Sequence, residues 1–217
     1  MSFDPSRWSV QLFSDAAGCS LIHAGAVMPG IVSAMQEAGI TTVPLIAHFL
    51  GQTGHESLGF TRMRENLDYR TADRLIAVFG RKRFPDQSFA AQYLRDPEKL
   101  ARYVYGTGVK AKELGNLSER DGWDFIGRGY IGTTGRYNYE RLAKATGMHC
   151  VEEPAMLERP LGAARSATFF WNSRKISQII EGGGSCEDVT RQINSALEGL
   201  ADREKRTARV FQTLEAI

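Results

Sequence analysis

Apolar residues recur at helical spacing along most of the chain. Over residues 21–39, Ile22, Val27, Ile31, Val32 and Met35 fall mainly on one helical face, and Gly39 is a natural stop. Thr41 or Thr42 ahead of Pro44 reads as a cap followed by a first helical turn. The next predicted helix, about 43–57, carries Leu45, Ile46, Phe49 and Leu50 on one face and His48, Gln52, His55 and Glu56 on the other. Glu56 is therefore expected near the C-terminal end of that helix, away from the apolar stripe. Further helices are predicted over 71–84 and 87–105, punctuated by Pro85 and Pro97. Others follow over 136–147, 160–181 and 186–215, with Gly182-Gly183-Gly184 between the last two. Residues 106–122, rich in Gly, Asn and Asp, read as a long surface loop. No stretch shows sustained β-branched alternation, and no internal repeat or low-complexity linker occurs. The pattern predicts a mainly α fold, with residues 1–217 as a single domain, arranged as one body or as two lobes around a cleft.

Composition narrows the class without changing that picture. A chain of 217 residues can build a substantial core, and its 42% apolar and 24% charged residues are ordinary for a soluble globular protein. A net charge of +2 lacks the strongly basic footprint of a nucleic-acid binder but suits a weakly anionic partner such as a cell-wall surface. Cys19, Cys150 and Cys186 are too few and too scattered for a disulfide framework and read as free thiols of a reducing compartment. The opening residues lack the basic and then apolar run of a signal peptide. No run approaches the roughly 18 apolar residues of a spanning helix. Synthesis in the cytoplasm without stable membrane insertion is the expectation.

Glu56 and Glu65 change the picture most. They lie nine residues apart, and two carboxylates flanking one sugar bond are the minimum apparatus for glycoside hydrolysis. On one continuous helix they would stand about 13.5 Å apart on opposite faces. Inverting enzymes need roughly 6.5–9.5 Å. The chain must therefore break between them, and Gly59 permits it. A general acid must keep its proton at working pH, which an apolar cleft and a neighbouring carboxylate promote. Trp123, Phe125, Tyr130 and Tyr137 are candidates for apolar walls and sugar-stacking faces. Glu65, between Arg64 and Asn66, is suited to stay ionised.

Other patterns carry less. His55-Glu56 lacks the second histidine of a zinc protease motif, and His48 with His55 is a poor metal pair, so neither metal nor cofactor is expected. Gly127-x-Gly129-x-x-Gly132 matches a dinucleotide fingerprint, with Glu152 and Glu153 further on, but no βαβ pattern surrounds it. The basic run from Arg203 to Arg209 reads as a solvated helix face, with contact to an anionic surface as the sharper alternative.

The ordered motifs together carry a family resemblance. Gln52-x-x-His55-Glu56-Ser57, Glu65-Asn66-Leu67-x-Tyr69, Gly127-Arg128-Gly129 and Thr134-x-x-x-Asn138-Tyr139 resemble glycoside hydrolase family 19, and within it the phage-endolysin branch. The resemblance runs over about residues 20–205 and implies a lysozyme-like, chitinase-like helical catalytic domain with no separate cell-wall-binding domain. It implies that Glu56 is the general acid, Glu65 the general base, and Thr134 the holder of the attacking water. It implies substrate contacts from Tyr137 and Asn138, and makes Asn194 and Arg203 liners of the cleft near the base. His55 is expected to orient groups in the site. Two departures stand out: Gly132 occupies the family's usual Gln position, and Asn194-Ser195-Ala196 replaces Asn-Gly-Gly. The resemblance implies an endolysin that inverts β-1,4 bonds of peptidoglycan glycan strands as a muramidase. It would act as a monomer, be made in the host cytoplasm, and work in the periplasm or cell wall after release. A chitinase and a catalytically impaired glycan-binding protein are the alternatives, and a nucleic-acid partner is not expected.

Overall fold

The computed structural model describes residues 2–217, which form thirteen α-helices and, beyond isolated bridges, no β-strand. In chain order they are α1 (Val10–Ala17), α2 (Leu21–Glu37), α3 (Val43–Glu56), α4 (Ala72–Phe79), α5 (Gln87–Ala91), α6 (Pro97–Gly106) and α7 (Gly108–Leu114). Then come α8 (Glu119–Asp124), α9 (Arg136–Thr146), α10 (Pro160–Ser173), α11 (Ile176–Glu181), α12 (Cys186–Ile193) and α13 (Leu200–Glu215). Among the described residues no single helix is long and apolar enough to cross a membrane.

Side-chain caps start many of these helices. Ser9, Ser20, Thr42, Thr71, Asp86, Asp96 and Ser118 each accept a first-turn N–H, and Ser185 with Asp188 forms a reciprocal capping box. The predicted helices over 21–39, 43–57 and 136–147 are present, shortened by one or two residues at their C-terminal ends. The others are interrupted. The 71–84 helix stops at Phe79, where Gly80 leaves helical geometry at φ 80°. The 87–105 helix is two, parted by Arg95 at φ 56° and restarted at Pro97. Lys175 at φ 54° divides 160–181, and Gly199 at φ 74° precedes the restart within 186–215. The expected loop 106–122 instead holds α7 and α8; its Gly115 and Ser118 are helix ends.

The chain divides into two compact units. One comprises the residues up to Met63, Gly129–Gly132 and Ala155–Ile217; the other comprises Arg64–Arg128 and Thr133–Pro154. In the first unit α3 is the central helix, and every residue from Leu45 to Gly54 is buried. The face opposite the apolar stripe is thus largely interior, with His48 and Gln52 buried and His55 and Glu56 partly so, because α13 packs along it. Gly51 permits that approach: a Cβ there would lie 2.2 Å from Thr207 Oγ1 and 2.9 Å from the Thr207 backbone nitrogen. Gly30 serves α2 against α10 in the same way, with Leu161 N 2.7 Å from its would-be Cβ. Phe13, Phe49, Phe60, Tyr130 and Trp171 fill this core. The second unit packs α6 on α8 around Leu75, Phe84, Leu100 and Ile126, beside a cluster of Phe89, Tyr93 and Tyr103 rings.

Candidate active site

Glu56 is the last residue of α3, so the helix ends three residues before Gly59. Ser57 ends it: its hydroxyl donates to Thr53 O at 2.6 Å and accepts from Phe60 N at 2.9 Å. Leu58, Gly59 and Phe60 then take left-handed conformations with φ of 52°, 70° and 66°. The break the chemistry requires is therefore present, built by three successive residues of positive φ.

The partner of Glu56 comes from α13. Arg203, only 1% exposed, donates from Nη2 to Glu56 Oε1, from Nη1 to Gln52 Oε1 at 2.7 Å and from Nε to Glu198 O at 3.1 Å. Gln52, itself fully buried, donates to Thr190 Oγ1 at 2.9 Å. Arg203, expected to line the cleft, is the partner of Glu56, because α13 lies against α3. His55 Nδ1 lies 2.7 Å from Asp202 Oδ2, which also accepts from Arg206 Nε at 2.7 Å. Burial would raise the Asp202 carboxyl, but hydrogen bonds from Arg206 and His55 outweigh it and hold it below its ordinary value. The His55 ring rests on Gly199, where a Cβ would fall 2.1 Å from Cε1.

The basic run of α13 is solvated at Glu204, Lys205 and Ala208, whereas Arg203 is buried. Arg203 and Arg206 are in ion pairs, the Arg209 guanidinium lies on Gly18, and Lys205 is the exposed cation. Asn194 closes a local turn at the end of α12, accepting from Ala196 N at 3.0 Å.

Glu65 is set in the second unit. It follows the bridge between Arg64 and Arg128, and its N–H donates to Gly127 O at 2.9 Å. Gly127 N–H returns a bond to Glu65 Oε1 at 2.5 Å, and the Tyr105 phenol donates to Oε2 at 2.8 Å. Burial pushes the Glu65 carboxyl up, more than the bonds from Gly127 and Tyr105 and the charges of Arg128 and Arg64 pull it down. Arg64 favours the carboxylate, as expected, but its charge does not offset burial. Arg64 contributes the weakest of these pulls, and its guanidinium sits over the Trp123 ring at 4.7 Å.

Thr134 stands beside this carboxylate. A Cβ at Gly127 would lie 3.2 Å from Thr134 Oγ1 and 3.3 Å from Glu65 Oε1, so both oxygens border the same point. Asn138 secures the Thr134 backbone by donating to its carbonyl at 2.8 Å. Tyr137 is 54% exposed, and Trp123 is half-buried. Phe125 and Tyr130 are buried in packing instead, against Tyr139 and Phe60 respectively, so neither offers a face to a sugar. Gly132 has φ 74°, a conformation that favours glycine over the family's usual Gln. Arg128 and Thr133 exchange backbone bonds of 3.0 and 2.7 Å around this loop, and no strand precedes it among the described residues. The dinucleotide-binding context is therefore missing.

Sequence reading gave no site role to Gln52, Asp202 or Tyr105. Gln52 sits one helical turn before Glu56 on the same face, a spacing that could have flagged it. Tyr105 is 40 residues from Glu65 and gives no local signal. Among the described residues no group of three His, Cys, Asp or Glu side chains gathers to hold a metal ion.

An all-helical fold that houses two glutamates differently carries the pair of carboxylates that glycan-cleaving hydrolases use. No protein-family model matches the chain. A glycosyl hydrolase family 19 domain-containing protein of Haemophilus influenzae is 36% identical over 181 residues, covering 82% of this chain and 84% of that protein. The chain belongs to glycoside hydrolase family 19. Chitinase C of Streptomyces griseus has a similar structure, with a TM-score of 0.64 at 17% identity over 95% of this chain and 76% of the chitinase. A bacterial family 19 chitinase gives 0.61 at 16% identity, over 95% and 94% of the two chains. A class IV chitinase of Zea mays gives 0.51 at 16% identity, over 96% and 82%. The fold is that of these chitinases, and the family's substrates are polysaccharides.

Proposed function

We propose that the protein hydrolyses β-1,4 bonds of peptidoglycan glycan strands with inversion, cutting after N-acetylmuramic acid. Glu56 is the general acid, Glu65 the general base, and Thr134 helps hold the attacking water. The observation that carries this reading is the housing of Glu65. Both its oxygens receive donors, its proton affinity is raised by burial, and Thr134 Oγ1 borders the same space. A raised carboxylate is a stronger base, and a hydroxyl at its side can share a water with it. Tyr137 and Trp123 offer faces to sugar rings. The ordered motifs shared with the endolysin branch support peptidoglycan as substrate. On this reading the protein is a monomer, made in a host cytoplasm and released to the cell wall to lyse the cell. Chitin is the second reading, favoured by the fold shared with solved chitinases.

The test is digestion of purified sacculi and of chitin oligomers by wild type and Glu56→Gln, with reducing ends identified by mass spectrometry. Products ending in N-acetylmuramic acid are expected, with turnover reduced by about 10²–10⁴-fold in the variant. Cleavage of chitin oligomers alone would transfer the protein to the second reading. NMR of the first anomer released should show the α form; an initial β product would overturn inversion.

A further inference from the structure

Tyr105 lies in the last turn of α6, where its phenol O–H meets Glu65 Oε2 at 2.8 Å. A phenol has one proton to donate, and here it goes to the carboxylate. The other oxygen, Oε1, takes the Gly127 N–H. Rotation of the carboxylate about its last torsion would break both bonds, so the pair fixes its plane. The remaining charged and titratable groups that act on Glu65 are Arg64, Arg128 and Tyr69.

The donor is itself held in place. Asn116, nearly buried, donates from Nδ2 to Tyr105 O at 2.9 Å. Its Oδ1 accepts from Arg136 N at 2.8 Å, at the first residue of α9 and two residues after Thr134. Arg136 is fixed by Asp121, through bonds of 2.7 and 2.9 Å, and Asp121 also accepts Leu117 N at 2.7 Å. Hydrogen bonding from Arg136 holds the Asp121 carboxyl well below its ordinary range, so this bracket stays charged. One polar frame thus carries both the donor to Glu65 and the segment that bears Thr134.

We propose that Tyr105 is the positioning residue of the general base, fixing the Glu65 carboxylate and sustaining its ionised form, with Asn116 and the Asp121–Arg136 pair holding Tyr105 and Thr134 in register. This rests on the reading of Glu65 as the base. A hydrogen bond donated to a carboxylate favours the anion, and here it opposes the burial that favours the acid. Without it Glu65 keeps its proton to higher pH and its lone pairs lose their aim.

The experiment is a ¹³C NMR titration of the Glu65 carboxyl together with a pH profile of kcat/KM, in wild type and Tyr105→Phe. The Glu65 midpoint and the acid limb of the profile should both move up by about one pH unit. At neutral pH kcat should fall on the order of tenfold with KM unchanged. A folded Tyr105→Phe protein with an unmoved Glu65 titration and acid limb would reduce Tyr105 to packing and overturn the proposal. If phenylalanine prevents folding, 3-fluorotyrosine at position 105 keeps the shape and strengthens the donor. The Glu65 midpoint should then move down, and no movement would again overturn the proposal. Glu65→Gln separates the two readings: wild-type turnover in that variant would remove the base on which this inference stands, whereas the NMR titration reports the Tyr105 bond independently of activity.

Discussion

A buried carboxyl that binds its proton more tightly in the folded state makes stability depend on pH, and Glu65 is that residue here. Burial raises it above the value it has in the unfolded chain, and the bonds from Gly127 and Tyr105 only partly offset this. Between the ordinary glutamate value and the raised one the native state binds more protons than the unfolded state. Stability therefore falls as pH rises through that window, and the whole cost is present above it. Glu65→Gln removes the titration. Thermal melts of variant and wild type at a series of pH values should show the variant's relative Tm climbing as pH rises above the ordinary glutamate value. A constant or falling offset would show that Glu65 is not strained by ionisation. Glu56 differs in kind, because a buried guanidinium rather than a phenol and an amide meets it. The two glutamates look alike in sequence, and only their surroundings part them.

At the scale of helices, close approach sets what the sequence tolerates. Gly51 on α3 faces Thr207 on α13, and the contact includes Thr207 backbone as well as its hydroxyl. A rotamer change can clear the hydroxyl but not the backbone nitrogen, so a methyl group must push the helices apart. Gly51→Ala should destabilise the protein by about 2 kcal/mol, despite alanine's better helix propensity. Chemical denaturation would measure it, and a neutral or stabilising result would contradict the packing described. Long amphipathic helices such as α2, α3 and α9 were legible because their faces repeat over several turns. The breaks were not. Arg95 and Lys175 adopt positive φ without the glycine that signals it, and α7 and α8 are too short to display a period. The inward turn of the polar face of α3 was equally hidden, since it depends on α13 arriving from the far end of the chain.

For the whole molecule, the two glutamates stood out in the sequence because both fall in one short segment with a break between them, and Thr134 because its motif follows in order. Their partners were not readable. Arg203 is 147 residues from Glu56 and Tyr105 is 40 from Glu65, so only the folded chain pairs them. Glu56 belongs to the first compact unit and Glu65 to the second. If both serve one bond, as acid and base of a single displacement, then removing either already disables that step. Groups that act as a unit lose activity non-additively. Glu56→Gln combined with Glu65→Gln should therefore be about as inactive as the worse single variant, rather than showing the product of the two losses. Initial rates on whichever glycan the wild type cleaves, with the fold checked by circular dichroism, would measure this. A multiplicative loss would mean that the carboxylates contribute separately, one to chemistry and the other to gripping the glycan. The inverting mechanism would then need a different partner for whichever glutamate proved essential to turnover.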